Sequence, residues 1–391
     1  MKTGRRSHGP RRSRLVPPCL SLAALVFLCG LVRAAGDGAG VEPAPSPSAP
    51  LESGQILGPF TLRLSLETGH DDNILSLSDL NRKAVVDGSA PAGKYLITTP
   101  DDWVTAARAA LRWTGHPWSR RKTSVEGGVE VFRFARNNVM DSERYELDVS
   151  QELTATRRRL GRLRASVAFV PSRYGGELTD DDASYSAQHQ VRNSETSARN
   201  EWNAGYEQEI VPDRLTGSLS LTGVRRDYNH YFDERDSRDL AWTAGATLRP
   251  FGRWRVSIGG DVTGGRRAAR GDLSSTPVAD DDVSFDYDGW SVHAAVPWGG
   301  RWRGRLELMR SAVERTYTSE NASDFYHHDR FDRIVEGRCR LVQKLTRSLD
   351  LTLDFRRGSR RSRFPDFVGL LQEKTDYDRT RVGVGVIYTL R

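Results

Sequence analysis

The last ten residues of this 391-residue chain limit its fold more than any other stretch. Val382, Val384, Val386, Tyr388 and Leu390 alternate with Gly383, Gly385, Ile387 and Thr389, so an extended strand carries them on one face. A chain that finishes on such a strand leaves a row of unpaired N–H and C=O groups unless something covers it. A sheet that closes on itself supplies the cover, because its last strand pairs with its first.

The net charge of +7 and the isoelectric point near 9.4 suggest a nucleic-acid partner at first sight. That reading fails because the basicity is local. Residues 1–34 hold Lys2, Arg5, Arg6, Arg11, Arg12, Arg14 and Arg33 and no acid; removing those seven from 58 basic residues leaves 51, equal to the 51 acidic ones. No nucleic-acid partner is expected. The same 34 residues have a secretory layout: a basic start, an apolar run over 19–32, then small residues. That run falls short of the roughly 20 residues of a spanning helix. Val32 and Ala34 fit the small-residue rule before a cleavage point, so residues 1–34 read as a cleaved signal peptide. Cys19 and Cys29 leave with it, and Cys339 alone remains, which excludes an intramolecular disulfide and a cysteine-rich metal site.

Residues 35–58, rich in Pro, Ser and Ala, read as a disordered periplasmic tether that cannot bury a core. From 59 to 391 the texture is that of strands with two-residue periodicity. Short turn-like joints at 115–117, 157–161, 212–214, 250–253, 298–301 and 346–348 alternate with longer polar ones at 71–100, 137–143, 174–196, 229–238, 266–283, 318–328 and 364–375. Six short and seven long joints separate fourteen strands and put both ends of the array on the short-turn side. The stretch 184–191 has room for one more short strand. Apolar residues line one face of most strands, as in Leu62, Leu64 and Leu66 or Leu349, Leu351, Leu353 and Phe355. Trp113, Trp118, Trp254, Trp298, Trp302 and Tyr388 cluster beside the short turns, and Trp103, Trp202, Trp290 and Tyr287 towards the long loops. Rings at both strand ends with a Leu, Val, Ala and Gly middle match two interfacial girdles around an apolar band. The expected fold is all-β: a single transmembrane antiparallel β-barrel of about fourteen strands, with short periplasmic turns and long extracellular loops.

On these residues the chain resembles the broad class of uncharacterised Gram-negative outer-membrane β-barrel and porin-like proteins. Gly385, Tyr388 and Leu390 resemble the C-terminal insertion signal of that class, although the usual terminal Phe or Trp is replaced by Arg391. Gly69, Asp71, Asp72 and Asn73 resemble a first-strand ending shared by several barrel families, both porin-like and attached to export systems. The resemblance implies an outer-membrane location, lipid and lipopolysaccharide as surroundings, and the barrel-assembly machinery as a partner.

Strand phase puts Glu126, Glu130, Glu146, Asp148, Glu152, Glu207 and Glu209 on the inward face of the third, fourth and sixth strands. Arg303, Arg305, Arg338, Arg340, Lys344 and Arg356 fall inward on the eleventh to thirteenth. Opposed acidic and basic walls would set a transverse field across a water-filled lumen. The same charges could instead pair and plug the interior. His293, beside Ser291, is the one histidine placed on a strand, and without a GxSxG or a matching Ser/His/Asn set it reads as a lumen or packing residue. The Asp runs at 71–72, 180–182 and 280–282 and the segment 327–329 read as solvated loop charge rather than metal ligands. Residues 356–363 read as a basic strip within reach of lipid phosphates, and Gly127, Ala165 and Gly217 hint at a homo-oligomer face.

The expected activity is passive diffusion of small polar or charged solutes, with no enzyme chemistry, cofactor or metal. The alternatives are a closed structural or assembly barrel supporting secretion or surface export and, more distantly, an outer-membrane enzyme. The leader reading is checked by N-terminal sequencing of the exported chain, which is expected to begin at Ala35; a start at Met1 would contradict cleavage.

Overall fold

The computed structural model describes residues 58–391 apart from 90–94, 118–120, 157–158, 180–191, 230–231, 233–234, 251–255, 271–282, 300–302, 320–326, 365–372 and 374. The expected leader, the tether up to residue 57, the stretch 184–191, the Asp runs at 180–182 and 280–282, and Trp118, Trp254 and Trp302 lie outside the described residues.

Fourteen antiparallel strands follow one another: β1 (Phe60–Asp71), β2 (Asp102–Gly115), β3 (Thr123–Phe134), β4 (Ser142–Thr156), β5 (Arg159–Thr179), β6 (Arg192–Val211) and β7 (Leu215–Tyr228). The second half comprises β8 (Ser237–Leu248), β9 (Ser257–Ala269), β10 (Phe285–Trp298), β11 (Gly304–Tyr317), β12 (Phe331–Lys344), β13 (Leu349–Arg363) and β14 (Tyr377–Leu390). Each strand pairs with its sequence neighbours, and β1 pairs with β14, so the sheet is a closed barrel. The register of the closing seam runs from Leu62 opposite Leu390 to Asp71 opposite Arg381. Short and long connections alternate as the sequence implies. The joint expected over 174–196 is shorter, because β5 and β6 extend to Thr179 and from Arg192. Register shifts between Val170 and Arg173 and between Tyr174 and Gly176 let β5 make that extension.

The two faces of the sheet differ in kind. Leu219, Leu240 and Val382 keep 56, 57 and 55% of their surface exposed, and in register with them stand Leu64, Leu66, Val167, Leu221, Val292, Leu308 and Leu353. Trp103, Trp202, Trp242 and Trp290 share that outer face towards the long loops, and Tyr388 does so beside the short turns. Tyr287 departs from the expected girdle. Its register position is one residue out of phase with Trp290, on the inner face opposite Gly265, where its ring fills the space that a Cβ would need.

At the seam the inner face has glycines at three positions, between the Glu67–Arg381 ion pair and its neighbours. Gly69 stands opposite Gly383, and a Cβ on Gly69 would lie 2.5 Å from the Val382 carbonyl oxygen and 2.8 Å from the Gly383 Cα. A Cβ on Gly385 would lie 2.9 Å from both the Leu66 carbonyl oxygen and Thr352 Oγ1. These glycines admit a close approach of backbones that any side chain would push apart.

The connection over 72–101 is more structured than a polar loop. Asp71 is 1% exposed and holds the Arg379 guanidinium, Asp72 Oδ1 accepts from the Thr380 amide at 2.7 Å, and Asn73 donates to the Leu77 and Asp378 carbonyls at 2.7 and 2.9 Å. The reading of Asp71 and Asp72 as solvated charge is therefore overturned: they tie the end of β1 to β14. A helix α1 (Asp79–Val86) follows, capped by Ser78, whose Oγ accepts from the Asn81 amide at 3.2 Å. Ile74, Leu77 and Ile97 then pack with Met140 and Tyr174 in a small buried cluster, and the Tyr174 hydroxyl accepts from the Leu96 amide at 3.0 Å.

Gly69→Val is expected to cost about 1–3 kcal/mol by forcing β1 and β14 apart. The readout is a lower urea midpoint and a smaller heat-modifiable fraction on gels, with Gly358→Val, which has no atom closer than 3.7 Å to its added Cβ, as the milder comparison.

Candidate functional site in the barrel interior

Antiparallel pairing carries a face from strand to strand, because directly opposed residues point the same way. Glu126 lies opposite both Arg112 and Asp148; Asp148 faces Ser166, which faces Asn203. All of them oppose the apolar outer face. By the same register Glu126 and Glu130 on β3, Glu146, Asp148 and Glu152 on β4, and Glu207 and Glu209 on β6 share the inner face. Arg305 on β11, Arg338, Arg340 and Lys344 on β12, and Arg356 on β13 share it too, and Arg303 precedes β11 in the adjoining turn.

The acidic side does not form an uncompensated wall. Arg108 contacts Glu146 and lies 3.4 Å from Glu126, while Arg112 reaches Glu126 at 2.6 Å. Arg144 bonds Glu201 at 2.9 Å and lies 3.8 Å from Glu146. Arg162 sits 3.7 Å from Glu152 and 3.9 Å from Glu207, and Arg164 bonds Glu207 at 3.1 Å. The guanidiniums of β2 and β5 thus thread between the carboxylates of β3, β4 and β6. Glu130 and Asp148 have no ion pair within 4 Å among the described residues.

The basic side has its own anchor. Asp354 on β13, with a side chain only 2% exposed, accepts from Arg338 and Arg356 at 2.7 Å each and lies 4.0 Å from Arg340. Arg305 bonds Glu307 at 2.6 Å. Sequence reasoning did not assign Asp354, Arg108, Arg112, Arg144, Arg162 or Arg164 a part in this interior. A signal was present for some of them: Arg108 and Arg112 are four residues apart on β2, hence on one face, opposite Glu130 and Glu126.

Cavities occupy the interior between these walls. One of about 490 Å³ is lined by Arg112, Glu126, Asp148, Glu152, Arg162 and Arg164. A second, of about 430 Å³, is bounded by residues of strands far apart in sequence, among them Arg63, Arg112, Lys122, Glu126, Arg305 and Asp350. A third, of about 230 Å³, lies at the short-turn end among Arg63, Arg303, Arg305, Arg340, Lys344 and Asp350. Five cations and one carboxylate line it; Glu307 and Asp354 stand against Arg305 and Arg340, so the surplus of positive charge rests on Arg63, Arg303 and Lys344.

His293 also faces inward. Its Nδ1 lies 3.6 Å from Asp261 Oδ2, and Ser291 Oγ donates to the same oxygen at 2.9 Å. The carboxylate stands between hydroxyl and imidazole, whereas nucleophile activation puts the imidazole in the middle. The glycines and alanine considered for an oligomer face, Gly127, Ala165 and Gly217, all lie on the outer face, but Leu147 and Leu221 stand between them and no single patch forms.

No family model matches the sequence, and no curated protein sequence matches it. Among solved structures the chain is similar to the outer membrane channel DcaP of Acinetobacter baumannii, with 11% identity, a TM-score of 0.43, and coverage of 85% of this chain and 97% of that one. It is similar to an anion-selective porin from Comamonas acidovorans, with 12% identity, a TM-score of 0.39, and coverage of 85% and 98%. Similarity to the outer membrane protein OprD from Pseudomonas aeruginosa has 11% identity, a TM-score of 0.36, and coverage of 85% and 93%.

Asp354→Asn is expected to cost about 2–3 kcal/mol, because Arg338 and Arg356 lose a charged acceptor that no neighbour replaces. Chemical denaturation of the refolded protein measures it, and restoration of stability by adding Arg338→Met would identify charge imbalance as the cause.

Proposed function

We propose that the protein is a passive channel of the Gram-negative outer membrane through which small polar solutes diffuse, with anions favoured at its short-turn mouth. The observation that carries this reading is the inverted polarity of the barrel. Large apolar side chains stand exposed around the outside, and charged side chains line cavities inside. A water-soluble barrel would reverse that arrangement, since a continuous exposed apolar band marks contact with lipid or protein. A bilayer requires it, together with the edge-free pairing that closure provides. Tyr388 and Leu390 on the outer face of β14 support residues 385–390 as the segment that barrel-assembly machinery grips.

Preference for anions follows from the cluster Arg63, Arg303, Arg305, Arg340 and Lys344 around the short-turn cavity. Arg63 and Lys344 have no carboxylate within 4 Å among the described residues, so their charge is available to a passing solute. A second reading, a closed assembly barrel, draws support from the cross-strand pairs of Arg108, Arg144 and Arg162, which narrow the β2–β6 side.

Single-channel recording of the refolded protein in a planar bilayer separates the two. Discrete open steps are expected, with a reversal potential under a salt gradient of the sign for anion preference. Arg63→Gln with Arg305→Gln should lower the anion-to-cation permeability ratio about two-fold or more. An absence of conductance from a folded, heat-modifiable barrel would overturn the channel reading in favour of the assembly barrel.

A further inference from the structure

We propose that a groove on the outer face of β10–β13 binds a phosphorylated, acylated lipid of the long-loop leaflet, its phosphate held between Arg310 and Arg357. The proposal rests on the membrane-spanning reading given above. Arg310 stands opposite Val292 on one side and Gly337 on the other, and Gly337 stands opposite Arg357, so both guanidiniums project from the outer face across a glycine notch. A Cβ added at Gly337 would meet nothing closer than the Met309 carbonyl oxygen at 4.0 Å, which leaves the floor between the two arginines open. Around this notch the surface forms a groove of about 650 Å³, whose other lining groups include Val292, Leu308, Cys339 and Phe355.

The height of the groove fits an amphiphile. The row Val292, Arg310, Gly337, Arg357 and Thr380 climbs towards the long-loop rim from β10 to β14. At the tilt of such barrels each step to the next strand rises about 3 Å, and each residue along a strand about 2.5 Å. The level of Trp290, a ring of the long-loop girdle, therefore passes just above Arg310, through Gly337, and just below Arg357. Lipid phosphates lie next to such a girdle, and acyl chains run from it towards the midplane. Leu308, Cys339 and Phe355 lie on that midplane side of the notch, so apolar floor and cationic rim are stacked in the order that a lipid requires.

The charges are also unspent. Three other outer-face arginines of this side are paired: Arg266 with Asp286 at 3.6 Å, Arg333 with Glu314 at 3.7 Å, and Arg361 with Asp378 at 2.9 Å; Arg363, at the rim end of β13, has no such partner among the described residues. Arg310 and Arg357 are exposed and have no carboxylate within 4 Å among the described residues. An arginine facing lipid chains without a partner is unfavourable. A phosphate at this level gives both guanidiniums charge-assisted bonds.

Native mass spectrometry of the refolded barrel in detergent tests this, with bis-phosphorylated lipid A, phosphatidylcholine and inorganic phosphate as probes. The wild type is expected to retain one lipid A per barrel in preference to phosphatidylcholine. The Arg310→Gln/Arg357→Gln variant should bind lipid A at least ten-fold more weakly, since each lost bond to a charged group weakens binding by about that factor. Gly337→Leu, which fills the notch and keeps both charges, should weaken it as well. Equal retention of lipid A by wild type and double variant would overturn the proposal, as would equal binding of phosphatidylcholine. Displacement of lipid A by millimolar inorganic phosphate alone would reassign the site to the free anion. Oligomer peaks that vanish with the double substitution would reassign it to contacts between copies. Heat-modifiability and conductance of the same samples are expected to be unchanged. Their loss in the wild type would instead reject the membrane-channel reading itself.

Discussion

Because Leu62 to Asp71 pair with Arg381 to Leu390, the sheet has no edge, and everything else about the protein depends on that closure. An open sheet of this size would present two rows of unsatisfied backbone groups. In hydrocarbon each such group costs several kcal/mol, so the outer apolar surface is compatible with a bilayer only when the ring is complete. At the seam the two backbones approach closely. Gly69, Gly383 and Gly385 give up side chains on the inner face so that the first and last strands can meet, and Asp71 and Asn73 lock the loop end of that meeting to β14.

Closure fixes the polarity of the interior. With lipid-compatible side chains taking one phase of every strand, polar residues must take the other, and in a ring that phase converges on one enclosed space. Charges brought together in this way are stabilised only with partners or water. Both occur here. Arg108, Arg144 and Arg162 neutralise carboxylates across strand boundaries, and Asp354 offsets part of the charge of Arg338 and Arg356. Where pairing is incomplete, around Arg63, Lys344 and Asp350, there is cavity instead. The distribution of pairing and cavity, rather than the total charge, is what gives the short-turn end of the interior its positive character.

On the membrane-spanning reading the outer face follows a different logic, because lipid would offer no water to an exposed charge. Most outer arginines towards the long loops carry a carboxylate on a neighbouring strand. Among the described residues Arg238 and Arg363, close to the rim, are without one, and so are Arg310 and Arg357, which lie deeper, beside a missing side chain at Gly337 and at the height of Trp290. A local violation of the general pattern, with open space beside it, gives that wall of the barrel a chemistry distinct from its neighbours.

The strand count, the alternation of short and long joints and the outward face were legible in the sequence because a strand's period of two is a local property. Leu349, Leu351, Leu353 and Phe355 declare their common face without reference to any other strand. The same rule placed Glu126, Glu146 and Arg338 on the opposite phase. It could not say that Arg108 would lie between Glu126 and Glu146, since that depends on the register between strands, which the pairing of the whole ring sets. Tyr287 differs for a related reason: an aromatic near a strand end reads as girdle, although its parity with Gly289 and His293 puts it inside. Likewise Asp71 reads as loop charge until Arg379, more than three hundred residues away in the chain, closes against it. Periodicity along the chain determined which face each residue takes; only the closed sheet decided which residues meet, because contacts across a barrel join positions whose sequence separation carries no signal of its own.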